Sequence, residues 1–294
     1  MRKQFANTME TLGQYPDTVI LIGDIGHHSL RPFAEKYPNR FYNLGIAEQS
    51  LIGVAAGLAM QGFRPYVHTI APFCTERCFE QIKVDLCYQR VPITIVSVGG
   101  SFDYSKLGCT HHCYEDLSIL RTLPNLEIYL PGNGGELDSV LRLTHRSKNP
   151  VYIKICEDTH LFDFNVDLGE FNTVQNGSKG VIVTNGAAVE FLRSSDLGYT
   201  ILYTPTITPF SQHAKDYLQE LILHYPTLIT VEDHSVIGGL GDITADMLQG
   251  ISHTAYRIGL EKGFLTNYGS RQDLRRDARL SPEMIIERIK AIGV

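Results

Sequence analysis

Asn43-Leu-Gly-Ile-Ala-Glu-Gln-Ser-Leu-Ile-Gly-Val-Ala-Ala-Gly-Leu-Ala59 joins a strand-to-loop segment to a helix built almost wholly of small residues. From Ala47 to Gln61 the apolar residues recur at helical spacing, and Gly62 stops the run. Gly53, Ala55, Ala56, Gly57 and Ala59 let another backbone approach closely. Glu48 stands where the loop enters this helix. A carboxylate beside such a close-packed helix is partly desolvated. The same residue also reads as an ordinary acid in a first helical turn, where the helix dipole favours it.

Working outward, strand and helix patterns alternate. Thr18-Val-Ile-Leu-Ile22 is an apolar run ending at Gly23-Asp24 and reads as a buried strand. Arg64 to Thr69 reads as a strand, and Pro72 opens a helix expected to reach about Tyr88. Pro92 to Val98 is a further buried strand followed by Gly99-Gly100. Asn125–Leu130 and Val151–Ile155 repeat the theme, with a helix from about Gly135 to His145 between them. Such alternation predicts a mostly parallel sheet covered on both faces. From Glu157 to Gly180 the periodicity fades into Asp, Asn and Gly. A second unit follows, with strands at 181–184, 200–203 and 228–231 and helices at 211–224, 240–249 and 282–292, the last capped by Ser281. The expected fold class is α/β with two doubly wound domains, residues 1–160 and 179–294, joined by a linker at 161–178.

Composition agrees with this division. The 294 residues are 43% hydrophobic and 20% charged, enough apolar material for two cores. A run of 18 apolar residues is absent, which argues against a membrane span. The opening Met1-Arg-Lys-Gln-Phe-Ala-Asn has no apolar core or cleavage site of a signal peptide, so a cytoplasmic enzyme is expected. The net charge of -6 is unclustered and gives no basic footprint for nucleic acid. Six cysteines in a chain this long read as reduced thiols. Cys109-Thr-His-His-Cys113 with Cys74 and Cys78 raises the question of zinc, but the spacing is not a paired C-x2-C pattern, and no metal site is expected.

Gly45-Ile-Ala-Glu-Gln49 followed by Ala55-Ala-Gly-Leu-Ala59 resembles the pyrimidine-domain motif of the transketolase and deoxyxylulose-phosphate synthase superfamily. The resemblance covers nearly the whole chain. It implies a thiamine pyrimidine-binding domain followed by a transketolase C-terminal-like domain, with thiamine diphosphate as the cofactor that serves as electron sink. It implies that Glu48 hydrogen-bonds N1′ of the aminopyrimidine. Thr69-Ile-Ala-Pro-Phe-Cys-Thr-Glu-Arg77 is similar to the family's aromatic segment with its downstream arginine. There Phe73 falls on the ring that packs against the aminopyrimidine, and Ile70 replaces a second aromatic. Arg77, Ile46 and Asp24 fall among the implied cofactor-binding positions. Gly108-Cys-Thr-His-His112, leading into Leu120-Arg121, is similar to a Gly-x-Thr-His-Gln element. His111 is thereby implied as the histidine that contacts the donor and assists proton transfer, a task suited to imidazole. Leu107 replaces the usual aspartate and His112 the usual glutamine. Without the motif, both Phe73 and His111 read equally as structural residues.

The implied substrate contacts are Arg2, His28, Ser29, His111 and Arg121. Two basic phosphate ligands of the family are missing, with Gly99 and Glu157 at their places. Either the donor lacks that phosphate, or other residues supply the charge. Val231-Glu-Asp-His-Ser-Val-Ile-Gly-Gly-Leu-Gly-Asp242 resembles the family's C-terminal domain, with glycines read as a structural turn. The Gly-Asp-Gly…Asn segment that holds Mg2+ and the diphosphate is not found, so a separate N-terminal diphosphate-binding subunit is the expected partner, in an α2β2 assembly. The expected reaction is ketol transfer between sugars or sugar phosphates. Rival readings are an E1 β subunit of a 2-oxoacid or acetoin dehydrogenase, a deoxyxylulose-phosphate-synthase-like enzyme, and a non-catalytic scaffold subunit.

Overall fold

A computed structural model describes residues 1–292. In chain order the first half carries α1 (Arg2–Leu12), β1 (Thr18–Ile22), α2 (Arg31–Lys36), β2 (Phe41–Asn43), α3 (Glu48–Met60), β3 (Arg64–Ile70), α4 (Ala71–Cys74), α5 (Phe79–Gln81), β4 (Thr94–Val98), α6 (Asp116–Leu120), β5 (Glu127–Tyr129), α7 (Gly134–Thr144) and β6 (Val151–Ile155). The second half carries β7 (Asn172–Gln175), β8 (Val181–Thr184), α8 (Ala188–Ser194), β9 (Thr200–Tyr203), β10 (Thr206–Thr208), α9 (Gln212–His224), β11 (Thr227–Ser235), α10 (Leu240–Met247), β12 (Thr254–Leu260), α11 (Arg271–Asp277) and α12 (Pro282–Ile292).

Two sheets organise the molecule. The first has the order β10-β5-β6-β4-β3-β1-β2, and the second β12-β11-β8-β9-β7. Both are parallel except at one edge, where β10 runs antiparallel to β5 and β7 antiparallel to β9. The strands β1, β4, β6, β8 and β9 are buried at every position, as expected of continuous apolar runs covered on both faces. Their burial against α3, α7, α9 and α10 forms the cores.

The halves are interlocked. The short β10 belongs in sequence to the second half but completes the first sheet, pairing Thr206 with Tyr129 and Thr208 with Ile128. Reciprocally, β7 lies within the segment read as linker, and it closes the edge of the second sheet. Salt bridges reinforce the seam. Arg271 on α11 lies 3.2 Å from Glu157 and 3.1 Å from Asp158, and Arg275 lies 2.6 Å from Asp158 and 3.5 Å from Asp233.

The helix expected from Pro72 to about Tyr88 is broken. α4 ends at Cys74, α5 starts at Phe79, and Ile82–Tyr88 winds as a wider π-helical segment. The break has a local cause. Thr75 Oγ1 and Cys74 Sγ both turn back onto the Ala71 carbonyl, and Cys78 Sγ onto that of Phe73, competing with the helical ladder. Cys74, Cys78 and Cys113 are buried free thiols, and their burial pushes them above the ordinary thiol range. Among the described residues no group of three or more His, Cys, Asp or Glu side chains is placed to hold a metal ion. No helix among them is long and apolar enough to cross a membrane.

Candidate active site

In an open α/β sheet, ligands bind outside the carboxyl ends of the strands, where the strand order reverses. In the first sheet the order reverses at β1, with β2 on one side and β3 on the other. The segments leaving β1, β2, β3, β4 and β6 at this edge carry Asp24, Glu48, Phe73, His111 and Glu157 respectively.

Glu48 is the first residue of α3 and only 3% exposed. Its Oε2 accepts a hydrogen bond from Arg77 Nη1 at 2.8 Å, which offsets a charge that burial would otherwise make costly. Among the described residues Oε1 has no hydrogen-bond donor. Arg77 is 43% exposed and stacks its guanidinium 4.2 Å from the centre of the Phe73 ring. The Phe73 ring meets His111 edge-on at 5.2 Å, and His111 in turn meets Tyr104 at 5.9 Å. The Tyr104 hydroxyl accepts from Arg2 at 3.1 Å, and Arg2 lies 3.9 Å from Glu157. A continuous line of contacts therefore runs from Glu48 to Glu157 along the sheet edge. Ile46, 75% exposed, stands just before Glu48.

Asp24 belongs to the same edge but faces solvent. Its backbone is left-handed (φ 57°), and its N–H and carboxylate both engage Asn43 at 3.1 Å. His28 is exposed, and its ring lies 4.1 Å from that of His27 at a tilt of 39°. The Ser29 hydroxyl donates to the Gly26 carbonyl at 2.9 Å. Arg121 is not at this site. Its guanidinium donates to the Gly238 carbonyl at 2.8 Å and lies 3.7 Å from Asp246, so it ties α6 to the second half. The Gly238-Gly239 turn is accordingly an internal contact, packed on Ser118 and capped by Glu232, whose carboxylate accepts from Leu240 N at 2.7 Å.

Beneath the loop that carries His111 is a fully buried ion pair. Lys154 Nζ lies 2.8 Å from Asp116, and Tyr152 donates to the same carboxylate at 2.6 Å. Burial alone would depress the Lys154 pKa, but Asp116 outweighs it and holds the lysine above its ordinary range. Lys154 also reaches the Cys113 carbonyl at 3.4 Å, so the pair pins both ends of Cys113–Asp116 to β6.

Tyr104 is a site residue that sequence reasoning missed. A Cβ on Gly99 would lie 1.9 Å from the Tyr104 ring, and Gly99 has φ +79°. Gly99 is thus where the aromatic side chain lies down on the backbone. The available signal was an aromatic residue closely following a glycine pair. Arg271 was also missed, since its place at the site depends on how the halves pack.

Residues 1–159 match the family model described as the transketolase pyrimidine-binding domain. A relative from Phocaeicola vulgatus, named as one of the subunits of an apulose-4-phosphate transketolase, is 33% identical over 261 residues, covering 84% of this chain and 83% of that protein. Its namesake from Actinobacillus succinogenes is 29% identical over 272 residues, 88% of this chain and 86% of its own length. A solved structure described as a split gene transketolase, an inactive beta4 tetramer, superposes with a TM-score of 0.87 at 26% identity, over 100% of this chain and 99% of that one. With this fold, this edge and these relatives, the chain belongs to the transketolase family.

Proposed function

We propose that this chain is the pyrimidine-binding and C-terminal-domain subunit of a two-chain, thiamine-diphosphate-dependent transketolase. It would transfer a two-carbon ketol unit from a ketose donor to an aldose acceptor. The observation that carries this reading is the buried Glu48 carboxylate, with one oxygen held by Arg77 and the other open, beside the half-exposed ring of Phe73. Such a set suits a flat heteroaromatic ring that presents a protonated nitrogen. It fits the aminopyrimidine half of the cofactor. When bound, that cofactor supplies the electron sink for carbon–carbon cleavage.

The chain's own residues then divide the work. Glu48 accepts the hydrogen bond of the ring nitrogen through Oε1. Phe73 and Ile46 cover the ring and exclude water, and Arg77 keeps the carboxylate aligned. Asp24 fixes the β1 loop against the β2 loop from the rim, through Asn43. His111, half-buried against two aromatic edges, moves protons at the donor hydroxyl. Arg2, His28 and Ser29 line the donor side, Ser29 through an oxygen whose proton is already committed to Gly26.

Among the described residues no comparable set for a diphosphate lies beside Glu48, where Arg77 is already paired. The diphosphate and Mg2+ are therefore assigned mainly to a partner subunit, in an α2β2 assembly. Gly53 and Gly57 of α3 have open space where a Cβ would be, and Val54, Met60 and Tyr88 are exposed. This apolar face beside the site suits the partner. The test is calorimetric titration of thiamine diphosphate with Mg2+ into this chain alone and into its complex with a diphosphate-binding chain. Binding by the complex and not by this chain alone is expected. A complex that binds no cofactor ends the proposal.

A further inference from the structure

On the far side of Tyr104 from His111 lies a cavity of about 300 Å³ lined by Met1, Arg2, Lys3, Asp103, Cys156 and Glu157. Tyr104 stands between them, its ring against His111 and its hydroxyl on Arg2. A substrate chain that starts at His111 and extends past Tyr104 would reach these groups. The cations there are already matched. Arg2 lies 3.9 Å from Glu157, and Arg271 lies 3.6 Å from Asp103, 3.2 Å from Glu157 and 3.1 Å from Asp158. Lys3 is exposed, so water screens it. Both guanidiniums that reach this end, Arg2 and Arg271, thus share the Glu157 carboxylate. The strand-end position that might add a basic group is closed, since any side chain on Gly99 collides with Tyr104.

We propose that Glu157, fixed by Arg271 of the second domain, makes this end of the site select a sugar chain ending in an uncharged hydroxyl over one ending in phosphate. The inference rests on the ketol-transfer reading above. Paired guanidinium and carboxylate groups offer both donors and acceptors, which hydroxyls need. A terminal phosphate must approach Glu157 while its countercharges are shared, and each unit of repulsion near contact is worth about tenfold in affinity. Burial raises the Asp103 carboxyl to about 7, a sign that this pocket tolerates added negative charge poorly.

The experiment compares D-xylulose with D-xylulose 5-phosphate as donors, with one acceptor aldehyde, in the holoenzyme assembled with its partner subunit. The wild-type kcat/KM is expected to be at least about tenfold higher for the unphosphorylated donor. Glu157→Gln should move that ratio toward the phosphorylated donor by about tenfold, and Glu157→Arg by more. A wild-type ratio at or beyond parity in favour of the phosphate overturns the proposal, as does a ratio unmoved by Glu157→Gln. If Glu157→Arg does not fold, the wild-type and Glu157→Gln ratios decide alone. Turnover with the wrong preference breaks only this inference. No turnover of either donor, by a complex that binds the cofactor, breaks the ketol-transfer reading and this one with it.

Discussion

The two sheets share a plan, and each has a crevice where its strand order reverses, yet the two crevices are furnished differently. At the first, Glu48 keeps an oxygen without a donor, and Phe73 and His111 present half-exposed rings. At the second, between β8 and β11, a cavity of about 240 Å³ is lined by Glu232, Asp233, Arg275 and Asp158 among apolar neighbours. Glu232 lies 2.7 Å from His234 and caps α10, while Asp233 lies 3.8 Å from His234, is 3.5 Å from Arg275, and accepts from Ser101 at 3.1 Å. Asp233 and Arg275 are committed to the seam through Ser101 and Asp158, while His234 and Asn185 beside them keep buried atoms without a hydrogen-bond partner. Geometry alone offers two sites, and what separates them is that the second ties its partly exposed charges into the seam while the first sets Glu48 beside open aromatic rings.

The largest effect should come from breaking the open side of this contrast. Glu48→Ala, in the assembled enzyme, is expected to lose about a thousandfold or more in turnover while retaining its fold by circular dichroism. Near-normal activity would mean that the first crevice is not catalytic. Next comes the buried support. Lys154→Met leaves Asp116 charged and unpaired in the core, at a cost of about 3–5 kcal/mol in urea unfolding. The double variant Lys154→Met/Asp116→Leu should recover most of that loss, and failure to recover would show that the pair does more than balance charge.

The second crevice predicts a pH dependence instead. Burial alone would depress His234, but Glu232 and Asp233 outweigh it and raise it to about 9. Its ordinary value lies near 6.5, so its contribution is fully present below 6.5 and is lost as the pH rises through about 9. Thermal unfolding should register a loss of about 3 kcal/mol across that window, and Glu232→Gln should flatten it. A wild-type curve already flat there would show that His234 is neutral in the folded protein. The smallest effect belongs to a cap away from both crevices. Ser270 and Asp273 form a reciprocal capping box on α11, and Ser270→Ala should cost about 1 kcal/mol. An additional change in donor preference would reveal that α11 transmits its position to Glu157 through Arg271.

The strands that form both sheet centres were legible because each is a short run dominated by branched apolar residues, as at Thr18–Ile22 and Pro92–Val98. Glu48 was legible as the sole charge in a stretch otherwise fit only for packing. Three features were not. The break between Cys74 and Phe79 arises from side chains turning back on backbone carbonyls, which helical periodicity cannot register. Tyr104 gains its place from the space above Gly99, and that space exists only once β4 is built. Arg121 carried the expected identity at the expected spacing, but α6 points it at the Gly238 carbonyl, a partner more than a hundred residues away. Glu157 reads in the sequence as a missing phosphate ligand, and the structure gives it two arginine neighbours.

The exchange of β10 across the seam governs where this chain can be cut. A break in the segment before β8 would separate the two halves as sequence but would strip β5 of its antiparallel neighbour. The first half alone would then expose a row of unpaired backbone donors and acceptors beside an apolar core, an invitation to edge-to-edge aggregation. The second half would lose the ion pairs that anchor α11. The halves are therefore one heritable unit: a gene fusion or fission that respects the architecture falls outside this pair, not between its members.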